Sequence, residues 1–64
     1  MRRFHVIFKY ADFEDNVKFG SVVIEFDEGE KVSYLSVKEK TDYKMYIEGF
    51  SAITFQIISW NFID

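Results

Sequence analysis

Apolar and polar residues alternate from the start of the chain. Phe4, Val6, Phe8 and Tyr10 fall on one side, with Arg3, His5, Ile7 and Lys9 between them. Period two in β-branched and aromatic residues predicts a strand with one face on a core. ADFEDNVKFG follows, polar and acidic, and reads as a ten-residue connection. In SVVIEFD the alternation resumes, with Val22, Ile24 and Phe26 set against Ser21, Val23, Glu25 and Asp27. The two segments predict an antiparallel hairpin with a long, mobile loop.

The next stretch, EGEKVSYLSVKEKTDYKMYIEGF, has two readings. Ser33 or Ser36 can cap a helix, and Ser36 and Glu39 have the spacing of a capping box. Leu35, Tyr43, Tyr46, Ile47 and Phe50 fall near one helical stripe, and Gly49 stands where a helix C-terminus favours glycine. VSYLSVK also alternates as a strand would; helix is the preferred reading. The closing segment, ITFQIISWNFID, is a strand with a break in phase. Ile53, Phe55 and Ile57 share one face, whereas Ile58, Trp60 and Phe62 share the other. Either a β-bulge restores the phase between Ile57 and Ile58, or both faces of this strand are covered.

A β-β-α-β order over residues 1–64 predicts one small α+β domain. Its three-stranded antiparallel sheet has order 2-1-3, with one helix crossing over on one face. The other face has nothing in the chain to cover it. It should display His5, Ile7, Val23 and Ile58 beside Lys9 and Glu25, an apolar cluster of the kind that marks interaction surfaces. Both outer strands would also carry a free edge. Self-association as a dimer is therefore expected.

Composition narrows the function. A 64-residue chain without cysteine has neither a disulfide framework nor a thiolate metal site. Eight Phe, four Tyr and one Trp are left to build its core. No window approaches the roughly 18 uninterrupted apolar residues of a spanning helix, and MRRFHVIFKYADFED lacks a signal-peptide cleavage site. No membrane association and a cytoplasmic location are expected. A net charge of −3 disfavours direct binding to nucleic-acid phosphate.

Catalytic chemistry is sparse. His5 is the only histidine, no nucleophile elbow occurs, and no glycine pattern cradles a phosphate. DEGE resembles the start of a calcium loop, but Lys38 occupies the place of its terminal acid. No catalytic residue, metal or cofactor is expected. The acids of two clusters, Asp12, Glu14, Asp15 and Asp27, Glu28, Glu30, could imitate a phosphate track. Charges that solvate loops are the simpler reading. Aromatics beside Arg2, Arg3 and Lys9 could stack single-stranded nucleic acid, but their spacing is that of a core.

Phe19-Gly20, Val22 to Phe26 and Ile57 to Phe62 together resemble a layout seen in very short accessory proteins of phages and prophages of Gram-positive bacteria. The resemblance covers most of the chain at the level of pattern and includes no catalytic motif. It implies a mobile-element protein that binds and redirects a bacterial protein, including defence or replication machinery. The expected function is thus a small non-catalytic modulator or inhibitor of a bacterial host protein. The alternative is an acidic DNA mimic or a single-strand nucleic-acid binder. Candidate contacts are the open face (His5, Ile7, Val23, Ile58), the acidic loop (Asp12, Glu14, Asp15) and the aromatic anchors Tyr43, Tyr46 and Trp60.

Overall fold

The computed structural model describes residues 1–64. Strand β1 (Arg2–Ala11) is followed by β2 (Val17–Phe26), helix α1 (Tyr34–Ile47) and β3 (Thr54–Phe62). The sheet has order β2-β1-β3, with β1 antiparallel to both neighbours. No helix is long and apolar enough to cross a membrane.

The hairpin connection is shorter than its composition suggests. β2 begins at Val17, and only Asp12 to Asn16 lie between the strands. Asp12 closes this loop. Its Oδ1 accepts from the backbone N–H of Glu14 and of Asn16, both at 2.9 Å, and its Oδ2 lies 3.2 Å from Lys18 Nζ. Asp15 takes a left-handed conformation, φ 61°, which an Asp tolerates better than most residues. A side chain that satisfies two loop amides replaces the expected mobile segment with an ordered turn. At the far end of β2, Glu30 N–H donates to Asp27 C=O across a turn whose third residue, Gly29, has φ 91°. Arg2 clamps that turn by donating to the carbonyls of Asp27 and Glu30.

Helix α1 starts on a capping box between Ser33 and Ser36, each side chain accepting from the other's backbone N–H. Glu39 has no part in it; serine at the third helical position serves in place of the usual acid. The helix ends in a Schellman motif, with Phe50 N–H to Met45 C=O at 3.0 Å and Gly49 N–H to Tyr46 C=O at 3.3 Å. Gly49 supplies the left-handed residue that this ending requires, with φ 83°.

Only nine residues are buried, so the core is small, and it lies entirely between α1 and one sheet face. Val6 and Phe8 come from β1, Val22, Ile24 and Phe26 from β2, Ile57 from β3, and Val37, Thr41 and Met45 from α1. The buried helix row thus runs at four-residue intervals and differs from the expected stripe. Leu35, Tyr43, Tyr46 and Ile47 all face solvent. Apolar residues lie all round this helix, so spacing alone does not select a face. The sheet selects the row with Val37 at one end and Met45 at the other. Thr41 is enclosed between them with its hydroxyl unpartnered.

Aromatic rings complete the core at both ends. Phe8 meets Phe50 at 5.4 Å and Phe55 at 6.2 Å, both edge-to-face, and Tyr10 meets Phe50 at 5.5 Å. Phe4 packs edge-on against Phe26 and Phe62 at the other end. Such pairs each add about 0.5–1.5 kcal/mol beyond the area they bury.

The phase break in β3 is a bulge. Ile57 is opposite Phe8 and Ser59 is opposite Ile7, which leaves Ile58 as an additional residue in the ladder. Trp60 and Phe62 thereby come to lie opposite Val6 and Phe4, on the same face as Ile57.

Candidate functional site

The sheet face away from α1 has no second layer. Its central row is Arg3, His5, Ile7 and Lys9 of β1. Antiparallel register places Glu25, Val23, Ser21 and Phe19 beside these residues in that order. Asn61, Ser59 and Gln56 flank His5, Ile7 and Lys9 from β3. Partners in register point to the same side, so this surface follows directly from the pairing. It has an apolar centre of Ile7, Val23 and Phe19 in a polar and basic surround.

The proposed contact residues separate into several places. His5, Ile7 and Val23 stand together on the open face. Ile58 is at the bulge and half exposed. Trp60 belongs to the helix side, half-buried, with its ring 6.1 Å from Tyr34. Tyr43 and Tyr46 are both exposed on α1, Tyr46 at 82% and Tyr43 beside the groove between α1 and β2. Asp12, Glu14 and Asp15 form the hairpin loop, and Asp12 is occupied in holding that loop together.

Phe19 and Val17 belong to the exposed set as well, at 71% and 66% exposure. A late start for β2 hides them from a reading of the sequence. The signal is nevertheless present: VKFGSVVIEF keeps its alternation through Gly20, from Val17 and Phe19 to Ser21, Val23 and Glu25.

Six of the nineteen charged side chains join in three ion pairs. Arg3 forms a forked pair with Asp64, Nε to Oδ1 at 2.7 Å and Nη2 to Oδ2 at 2.5 Å. Lys40 Nζ lies 3.3 Å from Glu30 Oε2 and 4.8 Å from the centre of the Phe26 ring. The acids around Asp12 and those around Glu30 sit at opposite ends of β2, in a molecule 39 Å long. They do not join into a continuous track. No group of three or more His, Asp or Glu side chains is arranged to hold a metal ion.

These pairs predict a dependence of stability on pH. Hydrogen bonds from the Asn16 and Glu14 amides, with Lys18 beside them, lower the Asp12 carboxyl below its ordinary 3.8. The Asp27 amide and Lys40 lower Glu30 below 4.5, and the Arg3 guanidinium lowers Asp64 below 3.8. A carboxyl with a lower pKa in the folded state contributes its stability above its unfolded value. That contribution disappears as pH falls through the folded value. The melting temperature should therefore hold steady near neutrality and fall as pH drops below about 4. Glu30 and Asp64 are exposed, so their share of the acid-labile part should shrink in high salt, and that of the largely covered Asp12 should shrink less. A melting temperature that stays level into strong acid would show that these contacts contribute nothing to stability.

Comparison with protein-family models, curated proteins and solved structures finds no match to this chain. The class of protein is set by the fold alone: a small α+β domain with one covered and one open sheet face.

Proposed function

We propose that this chain is a non-catalytic protein-binding modulator that uses its open sheet face. The observation that carries the reading is the uncovered apolar centre of Ile7, Val23 and Phe19 on a stiff three-stranded support. A binder of this kind needs no reactive group, only a scaffold whose surface residues are fixed by strand pairing. The pattern shared by Phe19-Gly20, Val22 to Phe26 and Ile57 to Phe62 supports a phage or mobile-element protein acting inside a bacterial cell, with a host protein as target. The alternative of an acidic nucleic-acid mimic has less support, because the acids divide between two ends and several are paired with Arg or Lys.

Affinity capture from bacterial lysate with the wild type, Ile7→Glu and Val23→Lys tests this. The wild type should retain a protein that both variants lose, with little change in high salt. Circular dichroism should show both variants folded. Capture that survives both substitutions would place the binding surface elsewhere. Capture that is abolished by salt alone would favour the mimic.

A further inference from the structure

The two free edges of the sheet are unlike. β3 carries the bulge at Ile58, which breaks the regular row of backbone groups along its outer side. β2 is ten residues long, contains no proline and pairs with β1 without any shift of register. Proteins usually blunt such an edge with a bulge, a proline, short length or inward charges. β2 has neither bulge nor proline and is not short; its charges are Lys18, drawn to Asp12 at the loop end, and Glu25.

The backbone groups on that edge can be assigned. Asp12 N–H donates to Asn16 C=O, and Asp12 and Asn16 are opposite one another just beyond the Ala11–Val17 pair. Hydrogen-bonded pairs alternate along an antiparallel ladder. The even-numbered residues of β2 therefore bond to β1. Val17, Phe19, Ser21, Val23 and Glu25 turn their N–H and C=O groups outward. These five residues are symmetric about Ser21.

We infer that β2 pairs antiparallel with β2 of a second copy, about a two-fold axis at Ser21, joining two three-stranded sheets into one. A two-fold axis at Ser21 is the only placement that engages all five outward residues. It sets Phe19 opposite Val23 of the other copy, an aromatic–β-branched pair of the kind that stabilises sheets. Gly20 is set opposite Val22. The same register sets Lys18 opposite Ile24, at the mouth of a groove of about 390 Å³ between β2 and α1. Glu25, Glu39, Lys40, Lys44, Tyr43 and Ile47 complete that groove, and no residue of β1 or β3 lines it, so it opens along the β2 edge. Lys18 pairs with Asp12 in the monomer, as Lys40 does with Glu30, so the groove contact accompanies the strand pairing and does not drive it. Phe19 and Val23 belong to both this edge and the open face, whereas Ile7 belongs to the face alone, so a change at Ile7 separates this inference from the open-face reading.

Sedimentation over a range of concentrations provides the test. Wild type should move from its 7.7 kDa monomer to a species of twice that mass. Ser21→Pro removes an outward N–H that the monomer does not use, and it should remain monomeric at every concentration. Ile7→Glu alters the face and leaves the edge intact, so it should dimerise as wild type does. The chain has no cysteine, so Ser21→Cys offers a second measurement independent of the proline variant. Facing residues of a bonded pair have Cα atoms about 5.5 Å apart, within disulfide reach. Ser21→Cys should form a covalent dimer on mild oxidation, whereas Val17→Cys should not. The inference is overturned by a wild type that stays at 7.7 kDa, by dimers that Ile7→Glu abolishes, or by equal cross-linking at positions 17 and 21.

Discussion

Deletion of Ile58 and Ser59 together should abolish folding or lower stability by about 3 kcal/mol or more, whereas deletion of Ile58 alone should be tolerated. A domain of this length has on the order of 3–10 kcal/mol in all. Ile58 is the additional residue of the ladder, since Ile57 is opposite Phe8 and Ser59 is opposite Ile7. Without Ile58 those two become consecutive, strict alternation returns, and Trp60 and Phe62 stay opposite Val6 and Phe4. Without both residues, Trp60 falls opposite Ile7 and Asn61 opposite Val6, which carries Trp60 and Phe62 to the open side and brings Asn61 against the core. The Trp60–Tyr34 and Phe62–Phe4 contacts would then be lost together. Arg3 would also lose its register with Ile63 and Asp64, whose backbone it meets at 2.8 and 2.7 Å. Thermal melts followed by circular dichroism measure the loss. Trp60 is the only tryptophan, so in the double deletion its emission should shift towards that of exposed indole. A single deletion that melts as low as the double one would mean that Ile58 is not the additional residue of β3. Ile58→Ala keeps the residue count and should cost little, because the Ile58 side chain is half exposed.

Gly20→Val should also destabilise strongly, against the usual preference of strands for valine over glycine. Gly20 needs no unusual backbone conformation. What it provides is space. A Cβ at this position would lie 2.8 Å from Phe8 Cζ and 2.9 Å from Phe50 Cε1. Phe8 is fully buried and held by Tyr10, Phe50 and Phe55, so its ring has nowhere to retreat. Overpacking of this kind costs about 1–3 kcal/mol. In a domain this small, each kcal/mol lowers the melting temperature by roughly 4–8 °C. Gly20→Ala should show a smaller loss in the same direction, because a single methyl already meets both rings. If the valine variant melts at or above the wild-type temperature, the two rings do not cover Gly20 as described.

Both predictions concern points where local pattern and tertiary packing meet. In FQIISWNF the break in phase is plain to read, but its two outcomes are equally compatible with the residues. Choosing between them requires knowing that β1 offers Phe8 and Ile7 as consecutive partners. Gly20 presents a similar case. In the sequence it reads as punctuation between a loop and a strand, and it hides the start of β2 at Val17. In the fold it is a strand residue opposite Phe8, covered by that ring and by Phe50 from beyond the helix.

The candidate surface was legible in part for the same reason. His5, Ile7 and Val23 follow from alternation, because a strand with one buried face must present the other. Phe19 and Val17 were obscured by the acidic residues before them, which suggested a longer loop. Tyr43 and Tyr46 are as exposed as a binding role would need, but they face a different direction from the open sheet.

By itself, the sequence determined the elements whose signals are local. Period-two alternation determined three strands and the inward faces of the first two. The serines at 33 and 36 marked the start of the helix without settling which is the cap, and the glycine at 49 marked its end, through hydrogen bonds that span only a few residues. Tertiary structure alone decided which row of α1 is buried, how the β3 phase is corrected, and that β2 keeps a regular free edge. Each of those outcomes depends on contacts between segments distant in the chain, and no spacing within one segment carries that information.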